Sequence, residues 1–139
     1  MERQARGTFD VILTPSTADP PVNAAIERMT ISKRYFGDIE GAGDGQMLTA
    51  LTAVTDSAGY VALERVTGTL AGRSGSFILQ HSGTLNRGSQ ELSVKVVPDS
   101  GTDELEGVSG TMIFARADGR HSYHFDYAFN DRSSTMALR

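Results

Sequence analysis

The sequence predicts an all-β protein, a single antiparallel up-and-down β-barrel of about eight strands. Apolar and polar residues alternate with a period of two along most of the chain, and no stretch carries apolar residues at helical spacing. Glycine numbers 15 in 139 residues, above the usual ~7%, and Ser and Thr are also abundant; all three are poor helix-interior residues. Short turn clusters divide the alternating runs at hairpin length, which makes sequential antiparallel pairing the economical topology. Eight meandering strands would leave two open edges, and closure into a barrel removes both.

The elements follow in order. Phe9, Val11 and Leu13 alternate with Thr8, Asp10 and Ile12, placing a first strand over 4–13. The proline-rich stretch 15–21 is a loop with room for a single helical turn. Met29, Ile31 and Tyr35 alternate with Arg28, Thr30, Ser32 and Arg34 in a second strand over 25–36. Phe36-Gly37-Asp38 turns the chain into a third strand over 38–54, and Asp56-Ser57-Ala58-Gly59 turns it into a fourth over 59–70. Ala71-Gly72-Arg73-Ser74 and Asn86-Arg87-Gly88 bracket a fifth strand over 74–85. Leu92, Val94 and Val96 alternate with Ser93 and Lys95 in a sixth over 90–97. Pro98-Asp99-Ser100-Gly101 and Ala117-Asp118-Gly119-Arg120 are the remaining turns, around a seventh strand over 107–117. The eighth, over 121–130, sets Tyr123, Phe125, Tyr127 and Phe129 against Ser122, His124, Asp126 and Asn130. One barrel domain over 1–130 and a patternless tail over 131–139 complete the reading.

The mass is 14.9 kDa and the pI about 5.3. With 13 basic and 17 acidic side chains the net charge is −4, which argues against nucleic acid or an anionic membrane as partner. There is no cysteine, so disulfides, thiolate metal sites and a Cys nucleophile are excluded. No apolar run reaches the ~18 residues of a membrane span and no signal-like segment opens the chain. A cytoplasmic protein is expected, without a cofactor.

Four stretches resemble a known family: Phe36-Gly37-Asp38-Ile39-Glu40-Gly41, the block from Leu63-Glu64-Arg65 to Gln80-His81-Ser82-Gly83, Val97-Pro98-Asp99-Ser100-Gly101-Thr102, and His121-Ser122-Tyr123-His124-Phe125-Asp126-Tyr127. Together they resemble the bacterial domain-of-unknown-function family 3224. The resemblance implies a small barrel like that of plant allene oxide cyclase and a homo-oligomer. It supplies no active-site residues, although an aspartic-peptidase activity has been suggested within the family.

Strand parity frames the candidate sites. Either the aromatic parity of the eighth strand is the core and Glu64, Gln80, His124 and Asp126 are wet, or those polar groups line a lumen while the aromatics build a subunit interface. On the lumen reading Glu40, Glu64, Gln80, His124 and Asp126 form a semi-polar ligand pocket in the barrel mouth, where a buried carboxylate could move protons. On the other reading they are solvated faces in which Glu64 pairs with Arg65 or Arg73. Small-molecule binding in the lumen is the expected function, and a non-catalytic homo-oligomeric assembly module is the alternative.

Val96-Val97-Pro98-Asp99-Ser100-Gly101-Thr102 suggests an aspartic-peptidase loop using Asp99, with a second carboxylate from a two-fold partner, Asp103 or Asp126. The same residues suit a β-turn. His121 and His124 stand three apart on a strand, face opposite sides and cannot chelate one metal. Gly41-Ala42-Gly43-Asp44-Gly45 has no helix after it and reads as a bend in a curved strand, not a phosphate loop.

Overall fold

The computed structural model describes residues 2–16 and 25–130. Eight strands pair in chain order and close on themselves: β1 (Arg3–Pro15), β2 (Ile26–Gly37), β3 (Ile39–Leu51), β4 (Ala58–Leu70), β5 (Arg73–Asn86), β6 (Ser89–Val96), β7 (Val108–Ala117) and β8 (Arg120–Phe129). Every neighbouring pair is antiparallel, and β1 meets β8 from Arg3↔Tyr127 to Phe9↔His121. The expected up-and-down barrel is therefore what the chain forms. The tail expected at 131–139 and most of the 15–21 loop lie outside the described residues. Among the described residues, no helix is long and apolar enough to cross a membrane.

The third strand ends at Leu51, three residues before its expected end. The reason is Thr52, whose hydroxyl bonds the carbonyl of Ser57 at 2.9 Å and accepts the Val54 N–H. This side chain folds the backbone into a turn where the sequence pattern still reads apolar.

Alternation decides what fills the barrel. The inward residues include Ile31, Lys33 and Tyr35 on β2, Ala62, Glu64, Val66 and Leu70 on β4, Phe77, Leu79 and His81 on β5, and Tyr123, Phe125 and Tyr127 on β8, all buried. The aromatic parity of β8 is thus core, and Glu64 shares the interior with it. The first of the two expected readings therefore holds except at Glu64. The second, with the β8 aromatics in a subunit interface and Gln80, His124 and Asp126 in the lumen, is overturned because the aromatic parity fills the interior.

The two ends of the barrel differ. At the end holding the β2–β3 and β4–β5 turns, Ile39, Leu70, Phe77, Phe125 and Tyr127 pack into one cluster. Phe77 and Phe125 stack with centroids 5.6 Å apart. The connection between β6 and β7 closes this end. It carries a single helical turn, Asp103–Leu105, that buries Leu105.

That connection also mends the weakest seam. Only Lys95↔Thr111 registers between β6 and β7. Instead the connection bonds to β5: Val97 and Thr102 donate their N–H groups to the carbonyls of Ile78 and Ser76. The hydroxyls of Ser100 and Thr102 accept the N–H groups of Ile78 and Ser76, each at 3.0 Å. The Asp-Ser-Gly-Thr string therefore satisfies backbone donors that a longer β6 would have taken.

Candidate functional site

The opposite end is open. A cavity of about 430 Å³ enters there, its walls including Phe9, Ile31, Met47, Leu92 and Phe114. Leu13, Gln90, Ala115 and Arg116 stand at its rim, and Tyr60, His121, Lys33 and His81 are its other polar contributors. Among the described residues no carboxylate lines it.

Beneath the cavity sits Glu64, fully buried. Its position follows from the ladder: β4 places Glu64 between Gly45 on β3 and Leu79 on β5. Gly43 makes the seat, since a Cβ there would collide with Glu64 Oε2. Glycine is required at this point by close approach, which gives the expected bend in β3 a specific purpose.

Three donors converge on the carboxylate. Lys33 Nζ lies 3.1 Å from Oε1, His81 Nε2 lies 2.9 Å from the same oxygen, and Tyr35 donates its hydroxyl to Oε2 at 2.5 Å. Lys33 also points at the Tyr35 hydroxyl at 3.5 Å. The ammonium lies 4.8 Å from the Phe9 ring centre and 4.4 Å from that of Phe114, so two aromatic faces replace part of its hydration. Among the described residues no buried side-chain polar atom lacks a partner. The cluster is complete in itself.

Its electrostatics follow from burial and from Glu64. Burial pushes the Glu64 carboxyl up, but the His81 hydrogen bond, the Lys33 charge and the Tyr35 hydroxyl together outweigh it and hold the group below its ordinary range. Burial draws the Lys33 ammonium below the usual lysine value, against the opposing pull of Glu64. Tyr35 is raised well above an ordinary phenol, first by burial and then by the Glu64 charge. Tyr60, half-buried in the cavity wall, is raised for the same two reasons. Both phenols stay donors. Because an ionised carboxylate only accepts, His81 uses Nε2–H as its donor toward Glu64.

Of the five residues expected in a pocket, the structure brings only Glu64 to the interior. Glu40 and Gln80 are exposed on the outer wall, because Ile39 and Leu79 beside them face inward. His124 and Asp126 are also on the outer face, joined by a 3.1 Å hydrogen bond. Glu64 pairs with Lys33 across the barrel interior rather than with Arg65 or Arg73. His121 lines the cavity while His124 faces out, as their odd spacing requires. Asp99 is exposed, at φ 64° in the turn closed by the Ser100 N–H to the Val97 carbonyl. Among the described residues no group of three or more His, Asp or Glu side chains could hold a metal ion.

Lys33, Tyr35 and His81 were missed as partners of Glu64, yet a signal was present. Lys33 continues the inward parity of Ile31 and Tyr35, and His81 that of Phe77 and Leu79. A cation or imidazole interrupting an apolar parity needs a buried counter-charge, and Glu64 is the carboxylate on an inward parity.

Residues 5–127 match the family model described as "Protein of unknown function (DUF3224)". The chain belongs to this family. A crystal structure of a DUF3224 protein with unknown function from Shewanella oneidensis MR-1 is 43% identical to it. The two agree with a TM-score of 0.88 over 94% of this chain and 99% of that one. No curated protein matches the chain. In this DUF3224 barrel the open end and the polar cluster beneath it are the features that call for a functional reading.

Proposed function

We propose that the barrel binds a small, largely apolar molecule in its open end, with one polar head directed at the Lys33–Glu64–His81 cluster. One observation carries this: an apolar-walled cavity of about 430 Å³ ends on a buried cluster of charged and polar side chains. The size suits a small ligand, and apolar walls with a few convergent polar groups are the usual make-up of such sites. An eight-stranded barrel can be filled by its own side chains. The packed end of this one is filled, so the open end is a departure from what the architecture needs.

The cluster supports the same reading. A buried ion pair contributes little net stability compared with well-packed apolar residues of similar volume. Apolar side chains at 33 and 64 would hold the barrel at least as well, so the charges are better explained by an occupant. The allene oxide cyclase-like character expected from the sequence belongs to this proposal, as a barrel used as a small-molecule container.

Titration with the neutral apolar fluorophore N-phenyl-1-naphthylamine tests the reading. Saturable binding of one dye per chain is expected. Leu13→Glu, at the exposed rim, should weaken it about tenfold by placing a charge where the apolar body enters, with little loss of stability. Binding that does not saturate, or that ignores this substitution, would overturn the assignment of the cavity as the site.

A further inference from the structure

We infer that Lys33 is a carbonyl-capturing amine, forming a reversible iminium with an apolar aldehyde or ketone held in the open end of the barrel; this rests on the ligand-binding reading above.

The first ground is residue choice. Of the 13 basic side chains, 11 are Arg and only Lys33 and Lys95 are Lys. Lys95 is exposed and Lys33 is buried. A chain that uses guanidinium groups almost everywhere places one of its two lysines, buried, in the lining of the cavity. An arginine could pair with Glu64 through two hydrogen bonds, but it cannot act as a nucleophile.

The second ground is geometry. Lys33 is part of the cavity lining, and its ammonium is held at the floor by Glu64 and Tyr35. Its charge is matched by Glu64 Oε1 at 3.1 Å and faced by the rings of Phe9 and Phe114. An iminium at the same nitrogen keeps the same positive charge and meets the same counter-ion and aromatic faces. The site is organised for the product as well as for the free amine. Burial also favours the uncharged amine through which the reaction passes.

The atoms balance without a further reagent. An ammonium proton passes to Glu64 Oε1, freeing the nitrogen lone pair. The amine adds to the carbonyl carbon, the C=O π electrons move to oxygen, and a proton shift from nitrogen to oxygen gives the neutral carbinolamine. Glu64 then returns its proton to the carbinolamine hydroxyl. That group leaves as water as the C=N bond forms, so ammonium plus carbonyl becomes iminium plus water. Tyr35 and His81 keep their hydrogen bonds to Glu64 throughout, so the carboxyl group is held in place while the proton moves on and off it.

Cinnamaldehyde with sodium cyanoborohydride at neutral pH is the test, read by intact mass and peptide mapping of the folded full chain. The hydride reduces the iminium carbon and fixes the adduct as a secondary amine. The expected result is one adduct, on Lys33, formed about tenfold faster than on Lys95, with Lys33→Met losing it. Adducts confined to Lys95 and the terminal amine would overturn the inference. In that case displacement of N-phenyl-1-naphthylamine by cinnamyl alcohol, which cannot form an iminium, separates the two ideas. Displacement leaves the ligand site standing without the chemistry. No saturable binding of dye or alcohol removes both.

Discussion

The two ends of this barrel are built from the same alternation and do different things. At the packed end the inward positions are Ile39, Leu70, Phe77, Leu105, Phe125 and Tyr127, and a connecting segment closes them off. At the open end the inward positions run from Phe9, Ile31 and Phe114 down to Lys33, Glu64 and His81, and a cavity remains. The packed end shows what strand alternation produces when burial is the only requirement. The open end carries charged and polar side chains at inward positions, with volume left unfilled above them. Close packing and the proposed binding site are therefore divided along the barrel axis, with Glu64 near the boundary.

The sharpest test of that division pairs one residue from each end. Phe77→Ala should cost about 3–5 kcal/mol by opening a cavity in the packed end, and should leave dye affinity in the surviving folded protein unchanged. Glu64→Ala should cost a similar ~3–5 kcal/mol, because Lys33 is then buried without its counter-charge, and should change binding as well. Adding Lys33→Met to Glu64→Ala should restore part of the stability, since both charges are gone. No such partner rescues Phe77→Ala. Urea denaturation with dye titration reads all three variants, and a double variant no more stable than Glu64→Ala would show that the charges were not the source of the loss.

A smaller effect is expected at the seat of the carboxylate. Gly43→Ala puts a Cβ against Glu64 Oε2, and displacement of the carboxylate should cost about 1–3 kcal/mol. Combined with Glu64→Ala, the penalty of Gly43→Ala should largely vanish, which a double-mutant cycle measures. Additive losses would mean that Gly43 matters for the bend of β3 or its approach to the Tyr35 ring and not for the seat of Glu64.

The smallest expected effect is in acid. Glu64 binds its proton less readily in the folded chain than the ordinary 4.5, so proton uptake favours unfolding. Its stabilisation is present above about pH 4.5 and is lost as pH falls through the lower folded value. Glu64→Gln lacks this loss. The stability gap between the parent and Glu64→Gln should therefore narrow below pH 4.5, as followed by urea midpoints across pH. A constant gap would mean that Glu64 does not titrate between the two states.

The strands were legible from residues alone because alternation and turn chemistry act within a few positions of each other. Pro98 and Asp99 announced their turn in this way, and Tyr123, Phe125 and Tyr127 announced an apolar face. Glu64 was legible as a candidate because it is a carboxylate on a strand face that a lumen reading turns inward. Its companions were not, because Glu40, Gln80, His124 and Asp126 were grouped with it by polarity while each strand has its own phase relative to the barrel axis. That phase is visible only when every strand is compared with its neighbours. Lys33 on the parity of Ile31 and Tyr35 was the overlooked clue.

By itself, then, the sequence determined that this chain forms eight antiparallel strands, where most of them turn, and that no thiol chemistry is available to it. Those are local properties, set by period-two patterning, glycine and proline placement, and composition. Tertiary structure alone decided that Lys33, Tyr35, Glu64 and His81 meet, that Gly43 leaves room for them, and that one end of the barrel stays open. Those depend on register and closure, which bring together residues more than 30 positions apart, as with Lys33 and Glu64, and which no short window of sequence contains.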